Sequence, residues 1–158
     1  MEKKGIVSEI ATGLPAWAKG IIAVGVVGGI GFAIYKLTQK GGALLKPDEA
    51  KKDVKKLEEI GQQPTYMEAQ YVGFADAIYA ARGCNNVFGT NEDAMYNVFR
   101  KMVNDLDVAK LIEKFGKRRL CFSFTEGNLG GFLNDDLDQD EIAIINNILK
   151  SKGIKYQF

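Results

Sequence analysis

The chain has 158 residues, 46% of them hydrophobic, a formal charge of +1 and no histidine. Without an imidazole there is no Ser-His-Asp triad, no Cys-His pair and no His-ligated metal site. Two cysteines, Cys84 and Cys121, are too few for a disulfide framework or a four-thiolate zinc site. The charge is uneven: residues 1–46 hold six Lys against Glu2 and Glu9, and residues 47–158 are acidic by three. A mildly acidic main body argues against a nucleic-acid partner, which is bound through Lys and Arg on phosphates.

Residues 1–18 form an N-terminal segment in which Ile6, Ile10 and Leu14 recur at helical spacing before Pro15. They fit either a short amphipathic helix lying along a membrane interface or a flexible tail. From Gly20 to Tyr35 the chain reads GIIAVGVVGGIGFAIY without a charge. Sixteen helical residues rise about 24 Å, a little short of the roughly 30 Å hydrocarbon core. Lys19 and Lys36 bound the run and can snorkel to the two interfaces, and Trp17 and Tyr35 lie near its ends, where amphipathic rings favour the headgroups. The expectation is a transmembrane helix over residues 19–38. A buried core helix and a signal peptide compete, but the run is apolar on both faces, is preceded by 19 residues and is followed by no small-x-small cleavage site. Gly25, Gly29 and Ala33 make a stripe of small residues through which another helix can approach, self-association included.

Lysines choose the side. Lys36, Lys40, Lys46, Lys51 and Lys52 follow the run, and Lys3, Lys4 and Lys19 precede it. The excess favours a C-terminal domain on the cytoplasmic side, where a reducing milieu would keep both thiols free.

Residues 39–47, with Gly41-Gly42 and Pro47, read as a linker, and residues 48–158 as a helical soluble domain. A helix is expected from Pro47 to Gly61, with Ala50, Val54, Leu57 and Ile60 as a narrow apolar stripe, either standing off the membrane as a stalk or docked on its neighbour. A second runs over 64–82, with Met67, Tyr71, Phe74, Ile78 and Tyr79 inward and Gly83 as its stop. Thr90 caps a third, with Asp93 completing a short capping box and Met95, Val98, Phe99 and Met102 inward. A fourth spans about Asp107 to Phe115, with Gly116 as its left-handed cap. In segment 117–127, KRRLCFSFTEG, the alternation of Leu120, Phe122 and Phe124 predicts an extended piece or buried loop. Helices over Leu129–Leu137 and Glu141–Lys152 complete the domain, the last with Asp138 and Glu141 as start signal and Gly153 as stop. The fold class expected is all-α: one N-terminal transmembrane helix followed by a compact helical domain.

The stretches FGTNEDAMYNVF, LIEKFGKR and LGGFLNDDLDQDEIAIINNIL resemble a single annexin-type repeat over roughly residues 84–152. The resemblance implies a calcium site made by the carbonyls of Asn85, Val87 and Gly89 and the carboxylate of Asp136. The sequence departs from that pattern where Val87 replaces the first glycine of GxGT and where the stretch Arg119–Asn128 lengthens the gap to Asp136. One carboxylate with loop carbonyls makes a weak site, and GTNED reads more simply as a helix start and nothing more. Asp136, Asp138 and Asp140 have EF-hand spacing, but Glu141 and Asn147 stand where the loop needs Gly and Glu, so these acids read as helix ends and starts. No metal or cofactor is therefore expected.

Catalytic routes are few. Glu126 with Asp135 is the best pair of acids for glycoside hydrolysis. Cys121 in an apolar run reads as a buried inert thiol, Cys84 as an exposed thiol lacking a base, and no nucleotide-binding loop is present. The expectation is a non-enzymatic, single-pass membrane protein. Because single annexin-type repeats resembling this one occur in small phage-encoded proteins, the resemblance implies a component of a membrane-containing virion or phage assembly, linking bilayer to capsid. Its partners would be lipid and other membrane or capsid proteins. Calcium-assisted peripheral lipid binding and a membrane-disrupting lysis factor are the alternatives.

Overall fold

The computed structural model describes residues 46–85, 89–121 and 125–158. The N-terminal segment 1–18, the expected transmembrane helix 19–38 with Trp17, Lys19, Gly25, Gly29, Ala33, Tyr35 and Lys36, and the linker up to residue 45 lie outside the described residues, as do Val87, Phe122 and Phe124. Among the described residues no helix is long and apolar enough to cross a membrane. They are mostly helical: α1 (Pro47–Glu59), α2 (Glu68–Ala80), a 3-10 turn (Gly83–Asn85), α3 (Glu92–Lys101), α4 (Asp105–Phe115), α5 (Leu129–Asp136) and α6 (Gln139–Ser151). Between α4 and α5 lies an antiparallel hairpin of two short strands, β1 (Arg118–Arg119) and β2 (Glu126–Gly127).

Helix α4 is the axis of the core. Leu106, Val108, Ala109, Leu111 and Ile112 are fully buried, with α1 packed along one side and α2 along another. Pro47 pre-sets the first turn of α1, and Asp48 and Glu49 complement its positive end. Ala50, Val54 and Leu57 are buried, so α1 docks on α4 and is not a free stalk. Ile60, the expected fourth member of the stripe, lies past the helix end and is 41% exposed.

Helix α2 begins four residues later than its periodicity predicts. Its first turn is pre-empted: Thr65 N–H donates to Asp107 at 2.9 Å, Tyr66 N–H to the Tyr71 hydroxyl at 3.3 Å and Met67 N–H to Gln70 at 2.9 Å. Tyr71, Ala75 and Ile78 face inward, whereas Met67, expected in the core, is 79% exposed.

The start of α3 is also displaced. Asn91, not Thr90, is its cap, accepting from Ala94 N–H at 3.0 Å. Met95, Val98, Phe99 and Met102 are buried as expected. Helix α4 is capped by Asn104, which accepts from Asp107 N–H at 2.9 Å. It ends on Gly116 at φ +63° and ψ −135°, a positive φ outside the left-handed helical basin that was expected.

In the hairpin, Arg118 pairs with Gly127 and Arg119 with Glu126. A Cβ on residue 127 would stand 2.7 Å from the tip of the Leu120 side chain, so a larger residue there would require that side chain to shift. Asn128 caps α5 through Gly131 N–H. Asp138 and Glu141 form the reciprocal capping box of α6, at 2.9 and 2.8 Å.

The C-terminal tail closes the core. Ile154 and Tyr156 are buried, Asp105 accepts from Lys155 N–H at 2.7 Å, and Asp53 accepts from the Tyr156 hydroxyl at 3.3 Å. Asn146 bonds both N–H and carbonyl of Phe158, whose ring packs edge-on against Phe99. Lys152 crosses to the carbonyls of Arg100 and Met102 and so satisfies the end of α3.

Candidate functional site

Charged and chemically capable groups converge where the end of α2, the 3-10 turn and the hairpin meet the last turn of α5. Two successive acids of α5 hold the two arms of this corner. The Asp135 carboxylate accepts from Cys121 N–H at 3.1 Å. The Asp136 carboxylate accepts from Gly83 N–H at 3.2 and 3.3 Å and from the Thr90 hydroxyl at 3.1 Å. Burial pushes Asp136 above the usual carboxylate range, against the pull of the Thr90 and Gly83 donors.

Cys84 in the 3-10 turn and Cys121 after β1 are joined by a disulfide, with Cα atoms 5.6 Å apart. This corrects the sequence expectation of two free thiols, one buried and one exposed. Their separation of 37 residues hid the pairing. Cys84 is exposed and Cys121 partly so.

Arginines brace the same corner. The Arg82 guanidinium lies 4.0 Å from the centre of the Tyr79 ring, and Arg118 lies 5.1 Å from that ring and 4.9 Å from Phe115. Arg118 also pairs with Asp76 at 2.8 Å, and Arg82 donates to the Arg119 carbonyl at 3.1 Å. Together they lock β1 to the end of α2.

Of the residues that the annexin resemblance implies for calcium, the structure bonds Asp136 to Gly83 and Thr90, which flank the stretch of Asn85 and Gly89. Gly89 is exposed at φ +94°, and Val87 lies outside the described residues. The Asp136 oxygens already accept three donor contacts, so a cation would have to displace Gly83 N–H or the Thr90 hydroxyl. Among the described residues no three acids or cysteines are gathered as metal ligands.

Glu126, opposite Arg119 in the hairpin, lines a cleft of 300 Å³ with Lys46, Asp48, Lys117 and Asn128. Asp135 is engaged with Cys121 N–H, so the two acids considered for hydrolysis have different surroundings. The cleft opens beside Lys46, where the chain enters the described domain, and its two lysines are matched by two acids.

Comparison with protein-family models, with curated proteins and with solved structures finds no match to this chain.

Proposed function

We propose that this chain is a non-enzymatic, membrane-anchored interaction protein, a link between a bilayer and a protein assembly such as the shell of a membrane-containing phage. The observation that carries the reading is the uncharged run Gly20–Tyr35 between Lys19 and Lys36, joined through a short linker to a helix that starts at Pro47. Such a run has lower free energy in hydrocarbon than in water. Because α1 is docked on α4, the packed domain starts at the first described turn, and a short tether to a packed domain suits a link between bilayer and partner. Extraction of membranes containing the full chain tests the anchor. Retention in the pellet at alkaline carbonate and release by detergent are expected, and release by carbonate alone overturns it. Crosslinking in the same membranes to a neighbouring protein or a second copy is expected; capture of lipid only counts against the linking role.

One observation favours a second reading, calcium-assisted binding to anionic lipid: Asp136 accepts from Gly83 and Thr90, the residues that flank the stretch the annexin resemblance marks for ligands. Residues 47–158 titrated with calcium over anionic vesicles test it. Calcium-dependent sedimentation that Asp136→Ala abolishes supports it, and binding that ignores calcium removes it.

A further inference from the structure

The disulfide bears on which side of the membrane the domain occupies. Gly83, next to Cys84, is held by Asp136, and Cys121 by Asp135. Thus adjacent residues of one helix hold Gly83, beside Cys84, and Cys121 itself, and the two cysteine Cα atoms lie 5.6 Å apart, in the middle of the range a disulfide spans. The bridge uses both cysteines of the chain, leaving no thiol among the described residues or elsewhere. Bridges of this kind persist in oxidising compartments and are reduced in the cytosol.

We infer that the folded domain works on the oxidising side of its membrane, the reverse of the orientation that the lysine excess favours; the inference rests on the anchor reading above. The lysine bias is five against three, a small difference for a rule that reads charge near the ends of a span and is weak for a segment followed by a whole domain. The bond itself needs a two-electron oxidant, here a carrier protein's disulfide. The Cys84 thiolate attacks one carrier sulfur and expels the other as a thiolate. The Cys121 thiolate then attacks Cys84 Sγ, breaking the mixed bond. The two protons given up by the Cys84 and Cys121 thiols end on the carrier's two sulfurs, and the carrier departs with both electrons as its dithiol.

The full chain is produced in bacteria, where cytosol and periplasm differ in redox state. Cells are quenched in acid and free thiols blocked, and the protein is then probed with a maleimide polymer before and after reduction. Protease added to spheroplasts reads the exposed side, and carbonate extraction reads the anchor separately. The expected result is a carbonate-resistant protein, unlabelled before reduction and doubly labelled after it, whose domain is digested from outside. A carbonate-resistant protein with two free thiols, or one whose domain is protected in spheroplasts and digested in inverted vesicles, overturns the inference and leaves the anchor standing. Release by carbonate overturns the anchor, and with it the assignment of sides.

Discussion

Tyr71 donates its phenolic hydrogen to Asp107 at 2.5 Å, and both side chains are fully buried. The other contacts of that carboxylate are backbone: Thr65 N–H and Val103 N–H, each at 2.9 Å. One acid on the central helix therefore holds the loop before α2, the body of α2 and the loop between α3 and α4. The Tyr71 hydroxyl is held well above its ordinary value, first by burial and then by the neighbouring carboxylate, so it stays a donor.

Asp107→Ala strands all three donors. At about 1–3 kcal/mol per buried unsatisfied group, with some rehydration, the loss is about 3–5 kcal/mol. Tyr71→Phe removes the hydrogen bond to Asp107 and the acceptor of Tyr66 N–H, and loses about 1.5–3 kcal/mol. Urea denaturation measures both, and equal losses would mean that the two backbone donors contribute nothing.

The division of labour between Thr90 and Asn91 separates a cap from a tether. Asn91→Ala is expected to lower stability by about 1 kcal/mol and to fray α3. Thr90→Val keeps the shape, leaves the helix start intact and frees the turn at Gly83 from one of its contacts through Asp136. Amide exchange distinguishes them: protection falls in residues 92–95 for the first variant and around Gly83 for the second.

Burial holds Asp53, Asp105 and Asp136 above the ordinary carboxylate value of 3.8. A raised folded-state pKa contributes stability that is complete below 3.8 and is lost as pH rises through the raised value. Glu68 runs the other way: hydrogen bonds from Lys110 and Lys114 lower it, so its contribution is present above 4.5 and is lost as pH falls through the lowered value. Asp53→Asn keeps an acceptor for the Tyr156 hydroxyl and removes the buried charge. It is expected to raise stability at neutral pH and to flatten the decline between acid and neutral pH, read from denaturation midpoints across that range.

Removing the cross-link, by reduction or by the double change Cys84→Ser and Cys121→Ser, frees a loop of 37 residues in the unfolded chain. Chain entropy for that length corresponds to about 3–4 kcal/mol. Thermal denaturation with and without reductant measures it; an unchanged midpoint would mean that the bridge does not constrain the unfolded state.

The amino-acid sequence by itself determined the elements whose instructions are local. The Asp138–Glu141 box, the α4 core residues Val108, Leu111, Ile112 and Phe115, the positive φ at Gly116, the stop at Gly153 and the all-α class all follow from interactions within a turn or two. The uncharged run Gly20–Tyr35 is equally local, since an aversion to water belongs to each side chain in it. Only the tertiary structure decided the rest. Thr90 and Asn91 are both good caps, and the choice falls to Asn91 while Asp136, 46 residues from Thr90, engages the Thr90 hydroxyl. The start of α2 is decided by Asp107, 42 residues from Thr65, which takes an N–H that an earlier helix start would have used. Cys84 meets Cys121 because α5 holds both arms. Contacts between residues far apart in the chain form only once the core has brought their elements together, and no periodicity along the chain encodes them.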